Sequence, residues 1–250
     1  MIELDKIFCE DCLIGMQRIP DGTIDAVICD LPYGTTACKW DSVIPFEPLW
    51  EQYKRIAKPN AAIILFSKQP FTTALIMSNP EWFRYELIWE KSRAGNSMQV
   101  KSRPASIHEN IEVFYKSQPT YNEQKFQVDE KYIDKRKSIR NSYYKSEHYS
   151  GVMKRKADDG WRHPQSVLPF NSVWHTDMHP TEKPVELLRY LIRTYTDEGQ
   201  VILDNCIGSG TTAVAALLEH RHFIGFELNK EYFEKANKRI KLEQQQLSLF

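Results

Sequence analysis

The 250-residue chain has no net charge: Lys/Arg and Asp/Glu stand at 33 each, so no global field marks it for nucleic acid, membrane or acidic substrate. Cysteine is sparse and odd in number, at 9, 12, 29, 38 and 206, which excludes a fully paired disulfide framework. Three of these cysteines fall in or beside apolar runs, where cysteine is a small core residue. Cys9-x-x-Cys12 has no second Cys/His pair at ligand spacing nearby, which argues against a zinc site. No apolar run approaches the length that crosses a bilayer, Met1 to Lys6 has no signal-peptide pattern, and no internal repeat is visible. What remains is a reduced, soluble, intracellular protein whose 42% apolar residues suffice for a sizeable core.

The neutral total hides an asymmetry. Residues 91–175 hold 16 Lys/Arg against 9 Asp/Glu, and the rest of the chain holds 17 against 24. An acidic body with a basic middle suggests a polyanion-binding face. Outside that middle, strand-like and helix-like segments alternate. Strands are predicted at 6–9, 26–30, 61–67, 85–91, 111–116, 201–205 and 223–227, the pair 85–91 and 111–116 lying at the far edge. Helices are predicted at 46–57, 71–77, 184–196, 211–219 and 231–245. The alternation predicts an α/β fold with a doubly wound, mostly parallel sheet, Rossmann-like, covered on both faces. Residues 118–175 break the pattern, with five tyrosines, two tryptophans and eleven Lys/Arg. A structureless loop of that length is foreign to a compact domain, so this reads as an inserted recognition region between 1–117 and 176–250.

Four short motifs carry chemistry. The apolar run Ala26-Val27-Ile28-Cys29 ends in Asp30-Leu31-Pro32-Tyr33: a carboxylate, a carbonyl whose direction is fixed by the next proline, and an aromatic ring. Val201 to Asp204 leads into Asn205-Cys206-Ile207-Gly208-Ser209-Gly210-Thr211, a strand, a glycine turn and a helix start that lets a ligand approach backbone closely. A phosphate loop would need lysine here, and a dinucleotide fingerprint would need glycine at 213, where alanine stands. Glu227 ends the next strand, seventeen positions past Gly210, where a carboxylate can accept both hydrogen bonds of a ribose diol. His179-Pro180-Thr181-Glu182-Lys183-Pro184 enters a helix.

These pieces resemble the Asp-Pro-Pro-Tyr, glycine-loop and His-Pro-x-x-Lys-Pro motifs of the DNA amino-methyltransferases. Their order along the chain resembles the circularly permuted β-class, of the N6-adenine type. Leucine replaces the first proline of the tetrapeptide, and Cys206 stands where phenylalanine is usual. The resemblance implies S-adenosylmethionine as cofactor. Asp11, Cys12, Asp30, His179, Thr181, Lys183, Asp204, Cys206, Gly208, Ser209, Gly210, Thr211 and Glu227 would hold it, with Asp11 and the Cys12 amide at its adenine and Lys183 neutralising its carboxylate. It implies catalysis by Asp30, Leu31, Pro32 and Tyr33 on the amino group of a base flipped out of duplex DNA, with no metal. Arg93, Lys101 and Arg103, with Lys135, Arg136, Lys137, Arg140, Lys145, Lys154, Arg155 and Lys156 of the insert, would meet phosphates.

The terminal Gln246-Leu247-Ser248-Leu249-Phe250 resembles the peptide by which bacterial replication proteins dock on the sliding clamp. A prokaryotic or phage-encoded enzyme of the cytoplasm follows from the resemblance, and a restriction–modification role fits it. Transfer to the cytosine amino group, transfer to protein glutamine or RNA, and a silent DNA- or clamp-binding module stay open at this point, as does a homodimer.

Overall fold

The computed structural model describes residues 2–34, 41–96, 100–133, 142–145, 150–153, 158–173 and 182–247, the segments 142–145 and 150–153 as backbone. Its elements run β1 (Lys6–Phe8), α1 (Cys12–Met16), β2 (Ile24–Asp30), α2 (Phe46–Ile56), β3 (Ala57–Ser67), α3 (Phe71–Ser78), β4 (Phe83–Lys91) and β5 (His108–Phe114). The short strands β6 (Phe126–Gln127), β7 (Ser142–Lys145), β8 (Ser150–Met153) and β9 (Trp161–Arg162) follow. The chain closes with β10 (Val167–Phe170), α4 (Val185–Tyr195), β11 (Val201–Asp204), α5 (Thr211–Leu218), β12 (His222–Phe226) and α6 (Lys230–Leu247).

Eight strands form one sheet in the order β1-β12-β11-β2-β3-β5-β4-β10, in which only β5 runs antiparallel to its neighbours. The central strands are apolar almost without interruption, as a sheet buried on both faces requires. Side chains of successive residues go to opposite layers. Val27, Cys29, Ile63, Leu65 and Leu203 pack with α1, α2 and α3. Ile28, Ala62, Ile64, Phe66 and Ile202 pack with α4, α5 and α6. The result is a three-layer α/β/α sandwich. α2 shows how the pattern works: Leu49, Trp50, Tyr53 and Ile56 recur at helical spacing and are buried, while Lys54 and Arg55 sit in its last turn, where the helix dipole favours cations.

From β2 the chain winds toward β3, and from β11 it winds the other way toward β12. The direction therefore reverses between the neighbours β11 and β2, which opens a crevice at the carboxyl ends of these strands.

The described residues form two compact units, 1–122 with 166–250, and 123–165. The second unit holds the antiparallel pair β6–β9, the hairpin pair β7–β8 and a 3₁₀ turn at Glu130–Tyr132. Residues 118–122 and 166–173, read from the sequence as part of the insert, belong to the first unit. Asn122 bonds the end of α4 through Arg193 and Thr196, and β10 pairs with β4. β10 is missed by sequence reading because it is four residues long and contains Pro169, which only an edge strand tolerates. The edge is therefore β10 rather than β4 and β5. β3 also begins earlier than expected, at Ala57. Its pairing with β2 jumps from Ile24↔Ala57 to Ala26↔Ala62, so Lys58-Pro59-Asn60, between the predicted helix and strand, is absorbed into β3 as an irregularity. No helix among the described residues is long and apolar enough to cross a membrane.

Candidate active site

Three of the four motifs, together with Asp11, meet at the carboxyl edge of the sheet, and Lys183 of the fourth joins them. β1, β12, β11 and β2 are parallel neighbours, so their carboxyl ends deliver Asp11, Glu227, the Gly208 turn and Asp30 side by side. All four line a single cavity of about 390 Å³. That size lies in the range of small-ligand and cofactor sites.

The glycine turn is built by local constraints. Gly208 and Gly210 have φ of +52° and +79°, the left-handed region that costs glycine nothing. A Cβ on Gly210 would stand 3.1 Å from the Ala236 Cβ of α6. Asp204 braces the turn from inside: Thr212 donates to it at 2.5 Å and the Cys206 N–H at 3.1 Å. Burial pushes its carboxyl up to about 6, against these bonds. Glu227 accepts from the Gly208 N–H at 2.9 Å and from the Asn229 N–H at 2.7 Å. Burial raises its carboxyl despite those donors. Ser209 and Thr211 are buried, and their hydroxyls lie 3.1 Å apart.

Asp11 lines the cavity, but its side chain also caps α1, accepting from the Leu13 N–H at 2.7 Å. Beneath it, Asn205 extends Nδ2 toward the Cys12 and Cys206 sulfurs at 3.6 and 3.5 Å, and its Oδ1 accepts from Tyr53 at 2.5 Å. The Cys12 thiol is raised first by its contact with Cys206 and then by burial, and Cys29 by burial, so both stay protonated and inert.

At the other side of the cavity each Asp30 oxygen has one partner, which leaves lone pairs free to accept more. Tyr33 donates its hydroxyl to Oδ1 at 2.5 Å, and Lys183 forms an ion pair with Oδ2. The Tyr33 ring lies 5.1 Å from Phe71, which is itself 5.6 Å from Phe46, so an aromatic wall backs the tetrapeptide. Burial first and Asp30 second lift the Tyr33 hydroxyl well above its ordinary pKa, keeping it a donor. Leu31 is buried in the core below. Gly34, at φ +68°, donates its N–H to Asp41 at 2.8 Å and so ties down the chain after Tyr33.

Lys183 does more than the sequence assigns it. Its side chain is only 8% exposed, and besides Asp30 it meets Glu109 at 3.4 Å and the Phe66 ring at 5.1 Å. Glu109 in turn pairs with Lys91. The result is a buried chain of alternating charge, Asp30–Lys183–Glu109–Lys91. Burial pulls the Lys183 pKa down, but the two carboxylates more than offset it and leave it raised. Glu109 ends lowered, because Lys183 and Lys91 outweigh its own burial. Sequence reading misses Glu109 because it presents itself as one charge in an alternating strand. It reaches the site because β5 is antiparallel, so the start of β5 lies where its neighbours end. Lys183, expected at a cofactor carboxylate, is here the counter-ion of Asp30 and Glu109, since a buried ammonium needs charge partners nearby.

Of the other sequence candidates, Arg93, Lys101 and Arg103 are exposed on the connection between β4 and β5, beyond the same sheet edge as Asp30. Lys145 lies in β7. His179, Thr181, Lys135, Arg136, Lys137, Arg140, Lys154, Arg155 and Lys156 fall outside the described residues, as do Ser248, Leu249 and Phe250. Gln246 and Leu247 are the last residues of α6, which extends two residues past its predicted end.

A doubly wound sheet with a glycine turn, a strand-end glutamate and an aspartate–tyrosine pair around one cavity places the chain among α/β proteins with a ligand site at the topological switch point. Comparison narrows this. The profile of the N6/N4 DNA methylase family matches residues 24–238, and the chain belongs to that family. It is 26% identical to the DNA adenine methyltransferase YhdJ of Escherichia coli strain K12, over 95% of this chain and 83% of that one. Its fold is similar to the crystal structure of the M1.HpyAVI–SAM complex, with a TM-score of 0.62 at 21% identity over 94% of this chain and 98% of that one. It is also similar to the cytosine-N4-specific PvuII DNA methyltransferase, with a TM-score of 0.65 at 14% identity over 95% and 90%. The chain is thus a DNA methyltransferase by family.

Proposed function

We propose that this DNA methyltransferase moves a methyl group from S-adenosylmethionine to the exocyclic N6 of an adenine flipped out of duplex DNA. The observation that carries the proposal is the shared cavity: the Asp30 carboxylate and the Gly208 turn line it together, at the ends of adjacent strands. The residues present fit the cofactor. Glu227 is held by two backbone N–H groups, and its remaining lone pairs suit a ribose diol. Gly208 and Ser209 give backbone access, and Asp11, Cys12 and Leu228 line the cavity with Glu227, whereas Gly210 is buried against α6 and does not line it. When bound there, S-adenosylmethionine supplies an electrophilic sulfonium methyl.

The chain's own residues act on the nucleophile. An adenine amino nitrogen reacts poorly because its lone pair is delocalised into the ring. Asp30 and the Leu31 carbonyl accept its two N–H bonds, which favours a pyramidal nitrogen and meets the positive charge that develops there. Tyr33, backed by Phe71, stacks on the base. Positioning then supplies much of the rate. Extruding the base costs a few kcal/mol, offset by this stacking and by the phosphate contacts of the basic segments. Unit 123–165 serves as the recognition region, in the motif order of the permuted class.

The adenine assignment rests on aspartate opening the tetrapeptide and on the likeness to YhdJ. Transfer to cytosine N4 is the second reading, favoured by the likeness in fold to the PvuII enzyme. Labelled methyl transfer to DNA, followed by sequencing that detects modified bases, separates the two. Asp30→Ala is expected to keep cofactor binding and lose methyl transfer; full activity in that variant refutes the assignment. The clamp reading of 246–250 is tested by deleting those five residues, and an unchanged clamp pull-down ends it.

A further inference from the structure

We infer that Arg239, on α6, is a positioning residue for the cofactor pocket: a single nitrogen of its guanidinium, Nη1, ties the glycine turn to the segment that carries Lys183. Nη1 lies 2.7 Å from Glu182 Oε1, and it donates to the Ser209 carbonyl at 3.2 Å and to Thr211 Oγ1 at 3.2 Å. Thr211 Oγ1 itself lies 3.4 Å from Glu182 Oε1, so the three groups close a ring around the arginine. The Glu182 side chain is 5% exposed and therefore needs a cation.

The contact depends on α6 lying close to the turn, which Gly210 permits, since a Cβ there would crowd Ala236. Glu182, Ser209 and Thr211 all line the cavity, whereas Arg239 does not. Its role is thus to hold the cavity's shape before ligand enters, which lowers the ordering cost of binding. Lysine at this position keeps a charged donor but loses the planar fork.

The inference rests on S-adenosylmethionine being the ligand of this cavity. The full-length chain and its Arg239→Met and Arg239→Lys variants are titrated calorimetrically with S-adenosylmethionine, and cofactor KM and kcat are measured on DNA. Arg239→Met is expected to weaken Kd and raise cofactor KM by about tenfold, the loss of one charge-assisted hydrogen-bond set, with kcat at saturating cofactor within about twofold. Amide exchange at 208–211 is expected to quicken, and Arg239→Lys to recover part of the affinity. Equal affinity in wild type and Arg239→Met overturns the inference. So does a loss that Arg239→Lys leaves unrepaired while its unfolding midpoint matches wild type. Should Arg239→Met not fold, Arg239→Gln, which keeps a neutral donor off the cavity wall, is titrated in its place and the same affinity criterion decides. A wild-type chain that binds no S-adenosylmethionine overturns the functional reading itself, and this inference with it.

Discussion

Replacing Lys183 by methionine removes the shared cation from the buried charge chain while keeping most of the unbranched side chain. At 3.4 Å and an effective dielectric of about 20, the attraction to Glu109 alone is about 5 kcal/mol before desolvation. Burying the ammonium costs several kcal/mol against this. After the change Glu109 still has Lys91, and Asp30, 26% exposed, is rehydrated in part. The net loss is therefore placed at about 2–3 kcal/mol of unfolding free energy, below the full cost of breaking a buried pair.

The pH dependence follows from the shifts. Lys183 is raised, so its contribution is complete below the unfolded lysine value and fades only as pH climbs through the folded one, above about 10. Glu109 is lowered, so its contribution is complete above the unfolded glutamate value and fades only as pH falls through the folded one, below about 4.5. Urea unfolding at pH 6 and at pH 9 is expected to give the same deficit. A double-mutant cycle adding Asp30→Asn is expected to show coupling above about 1 kcal/mol, because each single change removes one charge partner of the other. A Lys183→Met chain within about 0.5 kcal/mol of wild type, or additive single changes, refutes the charge chain.

Glu112 is fully buried opposite Glu86, and burial pushes its carboxyl up to about 7. Its protonated form is favoured in the fold, so its stabilising contribution is present at pH 4 and lost as pH rises through 7. Glu112→Gln is thus expected to stabilise by up to about 3 kcal/mol at pH 8 and by little at pH 4, read by urea unfolding; a gain equal at both values contradicts the assignment. Gly210→Ala places a Cβ at positive φ and against Ala236, and is expected to cost about 1–2 kcal/mol and to weaken cofactor titration. Unaltered stability and affinity would remove the argument for a strained turn. Replacing Lys101 and Arg103 by glutamine is expected to reduce the slope of log DNA affinity against log salt by about 0.9 for each phosphate no longer neutralised. An unchanged slope assigns both to plain surface.

Most of the sheet is legible in the sequence because parallel central strands write themselves as unbroken apolar runs. The run 26–30 becomes β2 with two residues added in front, and 201–205 becomes β11. The glycine turn is legible for the same kind of local reason, since positive φ selects the residue. What could not be read depends on pairs far apart in the chain. Nothing near Glu109 announces that an antiparallel strand will carry it to Lys183, 74 positions on. Nothing near Asp30 announces that Lys183 is its partner, across an even longer separation. Charge partners are chosen by topology, whereas strands and turns are chosen locally.

The same distinction explains why base choice is the hardest property to derive. On the proposed mechanism Asp30 and the Leu31 carbonyl would accept N–H bonds from any exocyclic amino group, so the opening aspartate inclines the tetrapeptide toward adenine without excluding cytosine. Discrimination has to come from the walls that measure the ring: Tyr33 with Phe71 behind it, and the segment from Asp41 to Pro45 that faces the same cavity. A purine and a pyrimidine present their amino groups at different distances from the sugar, so a wall displaced by one ring width exchanges one base for the other while Asp30 stays in place. Substitutions along 41–45 should therefore shift base preference without abolishing transfer, and substitutions at Asp30 should abolish transfer without shifting preference.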